Sequence, residues 1–305
     1  MINPTGRAVE IAVGGTRAVV GTVAAVLRSL VVDGVQLTEP LGDADVPRFA
    51  SGIVLSPWPN RVGDGRWTLG DVEQQLPLTE PARRNAIHGL LRFADYEIRE
   101  RSRDAVTLGA IIPPQTGWPA FLDTWVEYRA LPTGIAVRHG VVNLWSDRTP
   151  YAVGAHPFLR LGTTPVEELV LTVHADRWFE SDERQLPVAE RDVAGTPCDL
   201  RGGVRVGDLA GRLDTAFTGL RHERGVVARL DDPRSGRRLS LHQDEDWRYL
   251  QVFTPAAFPA ADGSTRQAIA IEPMTAPPDA LRSGEGLVWL EPGETWEGGW
   301  GLSLS

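Results

Sequence analysis

Two residues in separate stretches of the chain have the types needed to move protons as an acid and a base. His156 lies in TPYAVGAHPFLRLG (Thr149–Gly162) and Glu272 in QAIAIEPMTAPPDAL (Gln267–Leu281). Pro157 biases the residue before it toward extended backbone. Glu272 ends the run Ala268-Ile269-Ala270-Ile271, which has no polar side chain, and precedes Pro273. A glutamate there is costly to bury unless it is hydrogen-bonded or used. Desolvation would raise its pKa and make it a better base near neutrality. Each residue also has a structural alternative: a satisfied core imidazole for His156, and a salt bridge to one of the many arginines for Glu272.

Further candidates collect around this pair. NAIHGLLRF (Asn85–Phe93) places His88 before a glycine and an apolar turn, at the end of an apolar run, as His156 is. In SPWPNRVGDGRWTLG (Ser56–Gly70), Asn60 and Arg61 follow Trp58-Pro59 and offer a fork of donors suited to hydroxyls or carboxylates. GRLDTAFTGL (Gly211–Leu220) sets Asp214 at the start of an apolar strand, where it also reads as a turn or cap residue. His139, His174 and His242 sit inside alternating strands and are expected to face solvent or to be half-buried; His222 reads as exposed loop. Two histidines, a glutamate, an arginine and an aspartate, in a chain with ten tryptophans, suit a neutral polyhydroxylated ligand. Sugar C–H faces pack on aromatic rings, and hydroxyls need directed partners. Trp58 and Phe158 are the aromatics expected at the site.

The elements that would position these residues are strands. Twenty-three prolines and 32 glycines are spread from end to end, and period-two alternation recurs in short runs. Such runs are Ala105–Ile112, Asp123–Leu131, Gly134–Trp145, Glu167–Asp176, Gly225–Leu230, Arg237–Asp244 and Tyr249–Pro255. Asp231–Gly236 and Leu131–Gly134 have turn composition, and the C-terminus reads as strand, Pro-Gly turn, strand. Many short strands with no βαβ rhythm predict an antiparallel all-β sandwich or barrel, as a single domain over 1–305. One helical turn is expected at Asp208–Leu213, capped by Asp208.

Composition narrows the function. The chain has 305 residues, 42% hydrophobic and 23% charged, as in ordinary globular proteins. A net charge of −9 argues against nucleic acid or an anionic membrane as partner. All 31 basic residues are arginine, which excludes Schiff-base catalysis, a PLP-anchoring lysine and the P-loop lysine. The single cysteine, Cys198, excludes an internal disulfide and any multi-thiolate metal site. Apolar runs such as Ala18–Leu27 are too short to span a bilayer, and the N-terminal stretch does not read as a signal peptide. A cytoplasmic protein is the expectation.

At this point the residues resemble a known family. NRVGDGRWTLG, NAIHGLLR, AHPFLRLG, LDTAF and IEPMTAPPDAL fall in the order found in aldose 1-epimerases (galactose mutarotases), and the resemblance runs from about Gly34 to the end. It implies a large antiparallel β-sandwich (the supersandwich) with an open monosaccharide cleft, no metal and no cofactor. It implies Glu272 as general base, His156 as general acid, and His88 as the first site histidine. Arg61 and Asp214 would hold sugar hydroxyls. The chain departs from the family where Phe158-Leu159-Arg160-Leu161 replaces an aromatic and an asparagine, and where Gly89 is followed by Leu90 rather than a second glycine. These departures resemble a divergent bacterial branch.

The implied reaction interconverts the α and β anomers of an aldohexose, as a monomer or homodimer. His156 and Glu272 would face each other across one bound pyranose, with a bell-shaped pH profile set by Glu272 losing and His156 keeping a proton. The alternatives are a hexose-6-phosphate 1-epimerase using Arg83, Arg84 and Arg92, and a sugar-binding protein without turnover. A metal site on His88, His156 and Glu272, and a glycosidase pairing Glu272 with Asp214, complete the set.

Overall fold

Alternation of apolar and polar side chains builds two large sheets, and every ladder between named strands is antiparallel. The computed structural model of the chain describes residues 3–209, 211, 213–259 and 264–305. One sheet has nine strands, with Leu122–Leu131, Gly134–Asn143 and Thr295–Leu304 near its middle. In Leu122–Leu131 burial alternates almost residue by residue, so one face meets the core and the other water. The second sheet has eight strands. Its spine runs Asp214–Leu220, Tyr249–Phe253, Ile269–Met274, Gly154–Ala155 and Val54–Leu55, and Phe158–Leu159 also pairs with Ile269–Met274. All six residues of Ile269–Met274 are buried, as a sheet's central strand requires. A four-stranded N-terminal sheet (Ala8–Val13, Thr16–Gly21, Leu27–Val32, Val35–Gln36) packs into the same hydrophobic core.

Most predicted strands keep their place: Ala105–Ile112 has the predicted bounds, and Asp123–Leu131 begins one residue earlier. The run Glu167–Asp176 is not one strand. It holds a 3-10 turn at Val166–Glu168, then Val170–Val173 in the nine-stranded sheet and Ala175–Ser181 in the eight-stranded one. The chain changes sheets at His174, a corner that period-two patterning does not reveal. The helical turn spans Val206–Leu209, so Asp208 lies within it rather than capping it; Ala210 and Arg212 fall outside the described residues.

The strand histidines differ from expectation in depth. His139 is fully buried, its Nε2 accepting from Trp300 Nε1 at 3.1 Å, and burial pushes its pKa down to about 3. His174 is buried against Glu223 at 3.3 Å. His242 is half-buried beside Ser303 Oγ at 2.8 Å, and His222 is exposed, both as expected.

Candidate active site

The eight-stranded sheet delivers three of the site's side chains by register. Asp214 opens its strand opposite Phe253, and Gln251, two residues along, lies opposite Glu272. Residues two apart share a face of a sheet, so Phe253 and Gln251 share the face that carries Glu272. His156 follows the short strand Gly154–Ala155, and its backbone is fixed on both sides. Its N–H donates to the Ile53 carbonyl at 3.0 Å, and its carbonyl accepts from Gly52 N–H at 2.8 Å.

Arg61 and His88 arrive from outside that sheet, on a two-stranded ladder pairing Arg61–Gly63 with Asn85–Ile87. Asn60 and His88 adopt left-handed backbone, with φ of 55° and 65°, which costs a residue bearing a Cβ about 1 kcal/mol or more. The surroundings hold both in place. His88 N–H donates to the Asn60 carbonyl at 2.9 Å, and Arg61 N–H donates to Asn60 Oδ1 at 2.9 Å. Gly89 lies so close to Ser56 that a Cβ would sit 2.0 Å from the Ser56 carbonyl oxygen, so only glycine fits. Asp279, from PPDAL, braces the strand of Arg61: its N–H donates to the Arg61 carbonyl at 2.7 Å, and its Oδ1 accepts from Gly63 N–H at 2.8 Å.

These residues line a cleft of about 620 Å³, ample for a monosaccharide. Arg61, His88, His156, Asp214 and Glu272 share its wall, and Asn60 joins them. Trp58 and Phe158 do not. Trp58 is 2% exposed and sits in the core with its ring 6.0 Å from Trp118, where a large ring gains most from leaving water. Phe158 stacks behind His156 at 5.4 Å. The aromatic wall is instead Phe49, Phe93 and Phe253, and Glu80 adds an acid. None of these four stands out in sequence, because each lies in a loop or an ordinary strand and gains its place from tertiary packing.

His156 Nε2 and Glu272 Oε1 are 3.2 Å apart, and both side chains are almost wholly buried. They stand side by side rather than across a ring. Burial pushes His156 down to about 3. Burial, with the Asp214 charge adding to it, holds Glu272 well above the usual carboxylate range. His88, edge-on to His156 at 5.3 Å, is pushed well below its ordinary value by burial and by His156. All three therefore favour their neutral forms. His88 Nδ1, His156 Nδ1 and Glu272 Oε2 are buried and make no hydrogen bond within the protein. Each such atom costs roughly 1–3 kcal/mol, which hydroxyls of a ligand would recover. Arg61 is held by Glu80, at 2.9 and 3.2 Å, and by Asp214 at 3.3 Å. Among the described residues, no three of His, Cys, Asp and Glu are arranged to hold a metal ion.

The sequence model of the aldose 1-epimerase family matches residues 7–303. The chain belongs to the aldose 1-epimerase family. This aldose 1-epimerase family member is 32% identical over 291 residues to the uncharacterized protein YihR of Escherichia coli (strain K12), covering 95% of this chain and 91% of that one. It is 27% identical over 209 residues to the galactose mutarotase of Mus musculus, covering 63% of this chain and 58% of the mouse protein. Its fold matches the crystal structure of a GalM/aldose epimerase homologue from C. elegans, with a TM-score of 0.84, 19% identity and 98% of both chains covered. It also matches galactose 1-epimerase from Lactobacillus acidophilus NCFM, with a TM-score of 0.80, 21% identity, and 96% of this chain and 92% of that one covered. The architecture of this epimerase-family chain is the galactose mutarotase-like β-sandwich.

Proposed function

We propose that the protein is an aldose 1-epimerase that interconverts the α and β anomers of a monosaccharide. The observation that carries this reading is the 3.2 Å contact between His156 Nε2 and Glu272 Oε1 in the wall of a cleft that also presents Arg61, His88 and Asp214. The anomeric hydroxyl and the ring oxygen are bonded to the same carbon, so an acid and a base that touch each other reach both from one edge of the pyranose.

One proton serves the pair. In the unliganded site, burial keeps it on Glu272. A bound sugar donates its O1–H to Glu272 Oε2 and accepts at its ring oxygen from His156, which favours carboxylate and imidazolium. Glu272 then takes the O1 proton, the C1–ring-oxygen bond breaks, and His156 protonates the ring oxygen; the products are the open-chain aldehyde and a free hydroxyl. Rotation about C1–C2 and closure with the proton transfers reversed gives the other anomer. His88 stabilises the shifting charge near the ring oxygen. Arg61 and Asp214 keep the open chain in place.

NMR of freshly dissolved anomers of several aldoses, with and without protein, measures the reaction directly. Glu272→Gln is expected to slow exchange roughly 10²–10⁴-fold while sugar binding survives. Unchanged exchange in that variant removes Glu272 from the mechanism, and binding without exchange in the wild type leaves a sugar-binding protein.

One observation favours a phosphorylated aldose as a second reading. Arg92 lines the cleft, its Nε is buried without a partner, and among the described residues no carboxylate lies within 4.0 Å of it. Arg83 also lines the cleft, paired with Glu80 at 3.0 Å, whereas Arg84 is tied to Asp64 at 3.1 Å and is not part of that wall. Preferential turnover of glucose 6-phosphate over glucose in the same assay would select this reading.

A further inference from the structure

Glu80 stands just before the turn Pro81–Arg83, outside every motif that identifies the family, yet it holds much of the sugar site together. Its backbone is pinned to Asn85 in both directions, at 2.9 and 3.2 Å. Its Oε2 accepts from Arg61 Nε at 2.9 Å and from Asn85 Nδ2 at 2.8 Å. Its Oε1 accepts from Arg61 NH2 at 3.2 Å and from Arg83 NH1 at 3.0 Å. Glu80 therefore occupies the whole Nε–NH2 edge of the guanidinium, a fork-to-fork geometry that fixes its plane. Among the described residues, NH1 is left as the amino group of Arg61 with no protein hydrogen bond.

The placement matters because Arg61 shares the cleft with Glu272. A nearby cation stabilises a carboxylate and weakens it as a base, and Arg61 acts on Glu272 in that direction. The charged or titratable groups around Glu272 are His156 after Gly154–Ala155, Asp214 on its own strand, and Arg61 on the outer ladder; Gln251, opposite it, is neutral. Asp214 meets Arg61 through Oδ2 at 3.3 Å, but its Oδ1 is engaged by Gln251 Nε2 at 2.6 Å and its charge also lies beside Glu272. Glu80, also in the cleft wall, supplies a second counter-charge on the Nε–NH2 edge of Arg61.

We propose that Glu80 is a positioning residue of the sugar site: it takes up one edge and the charge of Arg61, so that the guanidinium binds the sugar without silencing Glu272. This rests on the epimerase reading for its kinetic consequence, but not for its electrostatic one. The experiment uses the full-length protein with Glu80→Gln and Glu80→Asp. The kinetic arm separates KM from kcat in anomer exchange. The second arm follows the infrared band of protonated Glu272 against pH, assigned by its loss in Glu272→Gln, and needs no turnover.

Glu80→Gln is expected to raise KM about tenfold, the loss of one charge-assisted hydrogen bond, with a smaller change in kcat. Its Glu272 band should disappear at lower pH than in the wild type, and Glu80→Asp, which keeps the charge, should restore that position. If Glu80→Gln does not fold, Glu80→Asp decides: a raised KM with an unmoved Glu272 titration supports the role, and an unchanged KM overturns it. Glu80→Gln with KM and titration unchanged also overturns it. So does a loss of kcat and thermal stability with the Glu272 titration unmoved, which would make Glu80 merely structural. A wild type that exchanges no aldose defeats the epimerase reading, and the infrared arm still decides Glu80.

Discussion

At the scale of single residues, the proposed reaction uses one proton shared by two buried groups. The sequence alone suggests charged partners, Glu272 as carboxylate and His156 as imidazolium. Burial reverses the resting preference, because taking both charges out of water costs more than their mutual attraction at 3.2 Å returns. The number of protons is the same either way, so the pair behaves as a unit with two macroscopic limits. The lower limit is addition of a second proton, held down near pH 3 by the burial of His156. The upper limit is loss of the shared proton, held above the ordinary carboxylate range by the burial of Glu272 beside Asp214. The profile of kcat/KM should therefore still be a bell, but one whose acid limb lies near pH 3 and whose alkaline limb belongs to Glu272. An acid limb near ~6.5, the ordinary histidine value, would show that His156 titrates as if exposed and would overturn this account.

At the scale of elements, what the sequence reveals depends on how local the positioning is. His156, Glu272 and Arg61 are legible because each follows an apolar run or a rigid Pro-containing turn, so local chemistry announces them. Trp58 misleads for the same reason: it stands two residues from Asn60, yet its ring turns into the core. Phe49, Phe253 and Glu80 are invisible because only packing between distant segments brings them to the cleft. The loop of His88 lies between these cases, since its glycine is legible and the contact that demands it is not. Gly89 and Gly70 both have positive φ, 74° and 59°, but only Gly89 faces a wall: nothing lies within 4 Å of a Cβ placed at Gly70. Alanine at Gly70 should cost about 1 kcal/mol, the conformational penalty alone. Alanine at Gly89 must also push the loop away from Ser56, carrying His88 with it. It should unfold at distinctly lower denaturant than Gly70→Ala and exchange anomers at least about tenfold more slowly. Equal stability and activity of the two variants would mean that the Ser56 contact does not hold His88.

At the scale of the whole molecule, the residues that hold the fold and those that serve the cleft are separable by what each would lose on replacement. The large apolar side chains, Trp58 among them, form one main core shared by the sheets, and none of that core's residues lines the cleft. The cleft wall carries buried polar atoms with no protein partner and four non-glycine residues with positive φ, Phe49, Ala50, Asn60 and His88, features that lower stability and make sense if a ligand uses them. Thermal unfolding can test this division. Trp58→Ala should lose roughly 3–5 kcal/mol, the cost of deleting a core aromatic, and melt several degrees lower. Glu272→Gln keeps an acceptor for His156 and removes a carboxyl whose ionised form the site disfavours, so it should melt at or above the wild-type temperature while exchange collapses. A Glu272→Gln protein that melts as low as Trp58→Ala would mean that the carboxyl is part of the scaffold. The cleft would then be a by-product of how the eight-stranded sheet meets its flanking loops, and not the reason a glutamate is kept at the end of an apolar strand.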